Sequence, residues 1–372
     1  MRKVKRHLRC PKCQGLNTKR HGIRISKQEK TNRHIITQHR WYCKNCGHVF
    51  IPVIGIRETI SSTTSESTEL YFEEGASYRA VAHKVGIGPK TAYNKIISLG
   101  FNSKSPLETS VELKPKWSGY LIIDGDSILI GNHRESLLLG VDAFSQDIPH
   151  AILAEHEDGQ NWTHLLLVLK DPIHYPFKGI ISDGDPTIQE AIKVVLPGVP
   201  YQYCVRHFEQ ELFRYIRYRF IQKRGYWRES DRFLKASKNL LYANNFEMAK
   251  KYLLAISIDP GFKQAGLDEV INKIKVNFSD LTRHHFYPGM PRTSNIGEGV
   301  ISRLDSKINQ ADGYKCRETA WATFKMLIMR YRFKVFTDCR KKNKHKNGKS
   351  PLELCGVDVS NINWIKFSQR SY

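Results

Sequence analysis

The sequence predicts an α/β protein in which a sheet with helices follows a small cysteine-based domain and an all-α unit. Three observations support this order. Two Cys-x-x-Cys pairs lie near the amino terminus, and apolar residues then recur at the spacing of helices. From Trp117 onward, short apolar segments typical of strands alternate with segments typical of helices. Because strands and helices alternate there, we expect the larger, second part of the chain to be an α/β domain.

Length and charge narrow the possible functions. The chain has 372 residues, which suggests two or three domains, and 59 lysines and arginines against 36 acids give a net charge of +23. Residues 1–50 hold 14 basic residues and one acid (+13), and residues 314–349 hold 12 and two (+10), so the rest is neutral overall. Such a surplus attracts polyanions, nucleic acid first and an anionic membrane surface second. Without an apolar run of about 18 residues or a signal sequence, we expect a soluble intracellular protein with no membrane partner.

The paired cysteines predict one structural zinc ion in a ribbon over residues 1–58. Each Cys-x-x-Cys turn directs two thiolates at one point, and Cys10, Cys13, Cys43 and Cys46 together complete a tetrahedral site with no open position. The 29 residues between the pairs predict a long basic hairpin. Two alternatives remain, unmetallated buried thiols and a histidine ligand. The candidate histidines are His7, His39 and His48.

Residues 66–100 predict a helix-turn-helix that follows a Ser/Thr-rich linker, residues 61–67. Gly75 ends the first helix, Ser77 caps the second, and the Gly-Ile-Gly-Pro of residues 86–89 turns the chain into the third. The third helix is the element that would enter a DNA groove. Its predicted exposed residues are Lys90, Tyr93, Asn94 and Lys95. An ordinary three-helix packing unit is the alternative.

Two carboxylates follow apolar strands in the central region. Residues 120–123 lead into Asp124, residues 178–181 lead into Ser182 and Asp183, and a glycine follows each acid. We expect both strands to end there and to place the acids at an edge of the sheet, where a divalent metal would keep two neighbouring carboxylates ionised. Simple turns are the alternative. Asp126 lies two residues after Asp124, and Asp185 two residues after Asp183, so the members of each pair point to the same side. The sequence pattern alone therefore does not show which aspartate of each pair is the functional one.

Glu298 is the candidate third acid. It lies in the first turns of a predicted helix and off the centre of that helix's apolar stripe, between Gly297 and Gly299. Cys204 and His207, between the second and third acids, have the i, i+3 spacing of zinc ligands, but no second pair lies nearby. We therefore expect a structural or DNA-contacting role for this pair and not a metal site.

With these motifs in this order, residues 117–333 resemble a DDE transposase of the mutator-like group of bacterial insertion sequences. The resemblance rests on Asp124 after its strand, on the Ser-Asp-Gly at Asp183, on Cys204-x-x-His207 and on the Arg-Thr-Ser-Asn-x-x-Glu that ends at Glu298. It implies an RNase H-like mixed sheet with a helical insertion. Related sequences often carry bulkier residues beside the glutamate.

The resemblance also implies the domain order and the chemistry. The catalytic core would consist of a first part at residues 117–204 and a last part at 291–336, separated by a helical insertion at 205–290. A basic carboxyl-terminal segment would follow at 337–372. Asp124, Asp183 and Glu298 would coordinate two Mg²⁺ or Mn²⁺ ions. The protein would bind the terminal inverted repeats of an element, cut there and join the ends to target DNA. It would work as a homodimer or higher oligomer on double-stranded DNA, in a prokaryotic cytoplasm at the nucleoid.

Three other functions use the same modules. A DNA-binding regulator would need the ribbon and the helix-turn-helix but would leave the carboxylates without a role. A domesticated, inactive transposase is less compatible with an intact set of Asp124, Asp183 and Glu298. A structure-specific RNase H-like nuclease would cleave hybrids or junctions without regard to end sequence.

Overall fold

The chain divides into two compact units, Met1–Thr59 and Ile60–Ser371, in a computed structural model. The structure describes residues 10, 17–26, 36–50, 60–218, 227–311 and 313–370. Among these residues, no helix is both long and apolar enough to cross a membrane.

The first unit contains a three-stranded antiparallel sheet of β1 (Thr18–Ser26), β2 (Ile36–Cys43) and β3 (Val49–Phe50). The antiparallel pairing of β1 with β2 confirms the predicted hairpin for its described part. Its small core consists of Cys10, Cys43 and Phe50, with Trp41 and Cys46 packed against them. Domains of about this size commonly need a metal or a disulfide for stability.

Four helices open the second unit: α1 (Ser62–Phe72), α2 (Tyr78–Val85), α3 (Pro89–Asn102) and α4 (Pro106–Leu113). The predicted linker at residues 61–67 is wrong, because α1 begins there. The Ser61 side chain accepts from the backbone N–H of Thr64 and caps the helix, while the Thr68 hydroxyl donates back to the Thr64 carbonyl. The hydroxyls of this stretch thus satisfy a helix end and helix carbonyls.

The turn between α2 and α3 follows the prediction. Ser77 caps α2, Gly86 ends it with a φ of 72°, and α3 starts at Pro89. The three helices α1, α2 and α3 are present as predicted, an arrangement that both a helix-turn-helix and a three-helix packing unit require.

The central sheet has five strands, and their order confirms the predicted mixed sheet. They are β4 (Tyr120–Ile130), β5 (His133–Asp142), β6 (His150–Ala154), β7 (Gly179–Ser182) and β8 (Tyr201–Tyr203). The order is β6-β5-β4-β7-β8, with β4, β5 and β6 antiparallel and β4, β7 and β8 parallel. This is the arrangement of an RNase H-like domain.

Helices cover both faces of the sheet, and the alternation along β4 assigns its residues to one face or the other. Leu121 and Ile123 pack against α5 (Gly159–Lys170) and α6 (Pro186–Val195). Ile122 joins the opposite core, which contains residues of α12 (Asn295–Ile308) and α13 (Arg317–Phe333). Asp124 follows Ile122 by two residues and therefore faces α12.

A helical insertion lies between β8 and α12 and has its own apolar core. Its described helices are α7 (Val205–Ile216), α8 (Trp227–Leu241), α9 (Phe246–Ile258), α10 (Pro260–Gln264) and α11 (Asp268–Leu281). After α13 the chain forms α14 (Pro351–Leu354) and α15 (Trp364–Ser368), which pack with the end of α13.

Candidate active site and metal centre

Asp124 lies where a parallel strand pair ends. The pairing of β4 with β7 covers Tyr120 to Ile122, and β7 itself stops at Ser182. The expectation that β4 stops at Asp124 is wrong, because β4 continues to Ile130 through its pairing with β5. The open edge arises from the end of the neighbouring strand, which leaves one side of Asp124 uncovered.

Asp183 follows the end of β7 in a turn that only glycine can complete. Gly184 has a φ of +93°, and a Cβ built on it would lie 2.1 Å from Cζ of Tyr203. The backbone can therefore turn tightly against that ring, and the exposed Asp183 carboxylate lies at the carboxyl end of β7.

Glu298 reaches the same edge because α12 lies directly on β4. A Cβ on Gly297 would lie 2.7 Å from Cγ2 of Ile122 and 3.9 Å from Cβ of Asp124. Any larger residue at 297 would push the helix away from the strand. Gly299 has nothing within 4 Å of a built Cβ, so the close approach depends on Gly297 alone of the two.

The three acids influence each other electrostatically. The pKa of Asp124 is raised to about 7, first by burial and then by the charges of Asp183 and Glu298. The N–H of Gly125 and the nearby His207 act in the opposite direction. Such mutual repulsion at a partly desolvated edge is what a bound cation would relieve.

His207 and Cys204 connect the start of α7 to the start of α12. Nε2 of His207 lies 3.6 Å from Oε1 of Glu298, and its Nδ1 lies 3.3 Å from Oγ of Ser294. The N–H of Ser294 donates to Sγ of Cys204 at 3.2 Å. A hydrogen bond with Cys204 raises the pKa of His207 to about 9, so the imidazole carries a positive charge beside Glu298 at neutral pH.

The two rival aspartates have other partners. The Asp185 side chain caps α6 by accepting from the backbone N–H of Thr187 at 2.7 Å. Asp126 lies beside Asp305 of α12; burial first, and then this neighbour, raise the pKa of Asp305 to about 7. The structure therefore brings Asp124, Asp183 and Glu298 together and gives Asp126 and Asp185 different environments.

Glu157 is a fourth acid at this edge, and the sequence reasoning missed it. A Cβ on Gly125 would lie 3.0 Å from both carboxylate oxygens of Glu157. Burial raises the pKa of Glu157, and the charges of Asp183 and Asp185 raise it further. The available signal was an acid three residues beyond strand β6, since the end of β6 lies at this part of the sheet.

The carboxylates form a wide site. In the described part of the chain, only a cysteine cluster has three ligand atoms within 4.8 Å of one another. The acids therefore do not form a compact single-ion site in this geometry. All-oxygen donors of this kind suit Mg²⁺ or Mn²⁺.

The cysteine cluster lies in the first unit and consists of Cys10, Cys43 and Cys46. Sγ of Cys10 and Sγ of Cys46 are 3.6 Å apart, close to the roughly 3.8 Å between thiolates around a tetrahedral zinc ion. Gly47, with a φ of +70°, donates its N–H to the Cys43 carbonyl and closes the knuckle. The predicted fourth ligand, Cys13, lies outside the described residues. The three described thiols fit a structural zinc ion.

We expect purified protein to contain one zinc ion per chain by elemental analysis. Cys46→Ser should lose it, because a hydroxyl is a poor substitute for a thiolate ligand. Cys316→Ser, at an exposed cysteine, is the matched control and should retain it. Two zinc ions per chain, with one lost in Cys204→Ser, would contradict the non-metal role of Cys204.

The third helix presents only part of its predicted DNA-binding face to solvent. Lys90 and Asn94 are exposed. Tyr93 is half-buried with its ring edge-on to Tyr78, and Nζ of Lys95 donates to Oγ1 of Thr64 at 3.0 Å. Lys90 and Asn94 are therefore the predicted residues that a DNA groove can reach without rearrangement.

No protein-family model and no curated protein matches this chain. Similar solved structures include the cryo-EM structure of the simian T-cell lymphotropic virus intasome in complex with PP2A regulatory subunit B56 gamma, with 14% identity, a TM-score of 0.19, and coverage of 48% of this chain and 70% of that one. Another is the crystal structure of the Mos1 strand transfer complex, with 11% identity, a TM-score of 0.19, and coverage of 59% of this chain and 78% of that one. At TM-scores this low, neither structure bears on the activity of this chain.

Proposed function

We propose that the protein is a DDE transposase, of the mutator-like group that its motifs resemble, which cuts the ends of a DNA element and joins them to a target. The observation that carries the proposal is the convergence of Asp124, Asp183 and Glu298 at one edge of an RNase H-like sheet. Asp124 lies within β4, Asp183 follows the end of β7 and Glu298 lies on α12, far apart in sequence, and Gly184 and Gly297 are required for two of the approaches.

The side chains have separate roles in this proposal. Two Mg²⁺ or Mn²⁺ ions held by the three acids would activate water or a DNA 3′-hydroxyl and stabilise the leaving oxygen. His207 keeps Glu298 in position through its positive charge, and Cys204 keeps His207 charged. Glu157, on the Gly125 side of β4, adds negative charge that strengthens cation binding.

The other elements are assigned to DNA binding. The basic ribbon and α3 would bind terminal repeats, and the exposed lysines and arginines of the basic segment after α12 would contact DNA phosphates, which leaves out the buried Lys346. Because two ends must be joined in one reaction, the protein would act as a homodimer or higher oligomer on DNA.

A cleavage and joining assay tests the proposal. The substrate is a duplex carrying the inverted repeat that flanks the coding sequence, with Mg²⁺ and a supercoiled target plasmid. We expect a cut at the repeat end and a covalent joint between its 3′-hydroxyl and the target. Binding without cleavage would favour a regulator. Cleavage of hybrids or junctions regardless of end sequence would favour a nuclease.

Lys90→Ala should weaken DNA binding for all sequences and reduce the salt slope of the binding constant by about 1, because one phosphate contact is lost. Asn94→Ala should weaken binding mainly to the repeat, by about 1 to 3 kcal/mol, if its amide reads a base. Titrations at several salt concentrations measure both effects. Lys95→Ala is the control, since its amine already bonds Thr64 and its loss should leave the slope unchanged. A slope that changes with Lys95 and not with Lys90 would contradict the assigned face.

A further inference from the structure

The turn between α1 and α2 is held by side chains from the two helices that follow the catalytic sheet. The Ala76 carbonyl accepts from Nζ of Lys307 at 2.8 Å, and the Gly75 carbonyl accepts from Nε2 of Gln310 at 3.0 Å. A guanidinium nitrogen of Arg330 donates to the Glu73 carbonyl at 3.2 Å. Glu73 is the C-cap residue of α1, where the helix dipole is negative, and Gly75 and Ala76 lie in the turn that leads to Ser77, the N-cap residue of α2. Cationic side chains from α12 and α13 thus bind this end of the helix-turn-helix.

Lys307 is the centre of this attachment. The residue is only 7% exposed, its Nζ lies 3.6 Å above the ring of Tyr71, and it also donates to Oε1 of Gln310 at 2.6 Å. Burial, followed by the charge of Arg330, lowers the pKa of Lys307 to about 8. A buried lysine is unfavourable unless its amine is well bonded, and here its bonds reach across to the helix-turn-helix.

The same helix carries Glu298 near its start and Lys307 near its end. Nine residues separate them, or about 13.5 Å along a helix with a rise of 1.5 Å per residue. The other end of the helix-turn-helix is also anchored, because Nζ of Lys325 in α13 donates to the carbonyls of Phe101 and Ser103. The helix-turn-helix is therefore attached to the body that holds the carboxylates at two places, the turn between α1 and α2 and the carboxyl end of α3.

We propose that Lys307 is a positioning residue that sets the spacing between the DNA sequence bound by α3 and the bond cut at the carboxylate site. The proposal rests on the proposed function. If the catalytic site is held at a fixed distance from the helix that binds the DNA sequence, it cuts a single phosphodiester bond. If the contacts that fix this distance are weakened, neighbouring bonds can also enter the site. Near-attack geometry is sensitive on this scale, since a displacement of about 1 Å can reduce a rate about 100-fold.

The test compares Lys307→Met with wild-type protein on two duplexes that carry the terminal repeat. One duplex has the natural spacing, and the other has one base pair, about 3.4 Å, inserted between the recognised sequence and the cut. We expect wild-type protein to cut the natural duplex at one bond and the longer duplex about 100-fold more slowly. Lys307→Met should bind both equally well, cut the natural duplex at several neighbouring bonds and be much less sensitive to the insertion.

Lys346→Met is the matched control. Lys346 is another buried lysine whose Nζ donates to a backbone carbonyl, that of Phe144, away from the helix-turn-helix. It should keep a single cut. Amide hydrogen exchange in residues 61–76 should accelerate in Lys307→Met and stay unchanged in Lys346→Met. If Lys307→Met does not fold, Gln310→Ala removes an exposed partner of the same turn and should show the same pattern more weakly.

The outcomes separate the two proposals. A single, unchanged cut in Lys307→Met or Gln310→Ala, with wild-type sensitivity to the insertion, overturns the spacing role and leaves the transposase proposal standing. Wild-type protein that binds the repeat without cutting it overturns both. Broadened cutting in Lys346→Met as well would show a general effect of destabilisation and would overturn the specific role of Lys307.

Discussion

Asp124→Asn should abolish strand cleavage and joining while leaving binding to the repeat unchanged. The substitution keeps the size of the side chain but removes the negative charge that a divalent ion requires, so we expect a loss of at least about 1,000-fold in the cleavage rate. It also removes a carboxyl whose pKa burial raises to about 7. Metal-free Asp124→Asn protein should therefore be at least as stable as wild-type protein near neutral pH and above.

Two matched pairs of variants make this prediction specific. Asp126 lies two residues further along β4, beside Asp305 of α12. Asp126→Asn should therefore keep most activity. Asp183→Asn should be inactive, whereas Asp185→Asn should be active because asparagine also caps helices well. Gel shifts report binding, and cleavage is followed on labelled duplexes. Loss of activity in Asp126→Asn with activity retained in Asp124→Asn would transfer the catalytic role to the other acid.

Arg332→Met should destabilise the second unit by about 3 to 5 kcal/mol, because it leaves a buried carboxylate without its partner. The side chains of Arg332 and Asp147 are both fully buried, and the guanidinium donates to the two carboxylate oxygens at 2.8 Å each. Asp147 also accepts from the indole N–H of Trp117 at 2.9 Å, and Arg332 donates to the Ser110 hydroxyl at 3.1 Å. The pair thus joins α13, α4 and the loop between β5 and β6.

Urea denaturation measures this effect. The midpoint should fall with little change in slope, which would indicate a loss of stability without a change in the surface exposed on unfolding. Arg232→Met is the control. Arg232 pairs with Asp259 but is 57% exposed, so its replacement should change the stability by about 1 kcal/mol or less. Equal effects of the two substitutions would show that the buried Arg332 pair contributes no more to stability than an exposed ion pair.

Local sequence signals predicted most of the elements around the site. The apolar runs before Asp124 and Asp183 identified β4 and β7, and Ser77 with Gly86 identified the ends of α2. The same signals failed at residues 61–67, where serine and threonine side chains cap and bond a helix instead of forming a linker. Composition alone does not distinguish these uses, because the same hydroxyls favour both turns and helix caps.

The choice within each pair of aspartates depended on contacts that have no local signature. Asp126 differs from Asp124 because α12 brings Asp305 to it, and Asp185 differs from Asp183 because it caps α6. Glu157 was missed for the same reason, since only the packing of the chain after β6 against Gly125 places it near the other acids. The alternation along a strand determines which face of the sheet a residue occupies, but not which residues pack against that face.

The sequence by itself determined the modules and the chemistry available to them: paired cysteines for zinc, the pattern of a helix-turn-helix, and acids after apolar strands. These follow from residue types and short spacings, which local physics controls. Only the tertiary structure decided which acids meet, how Gly297 lets α12 touch β4, and how Lys307 connects α12 to the turn between α1 and α2. Those contacts join residues that are tens to hundreds of positions apart, and they exist only after the whole second unit has packed.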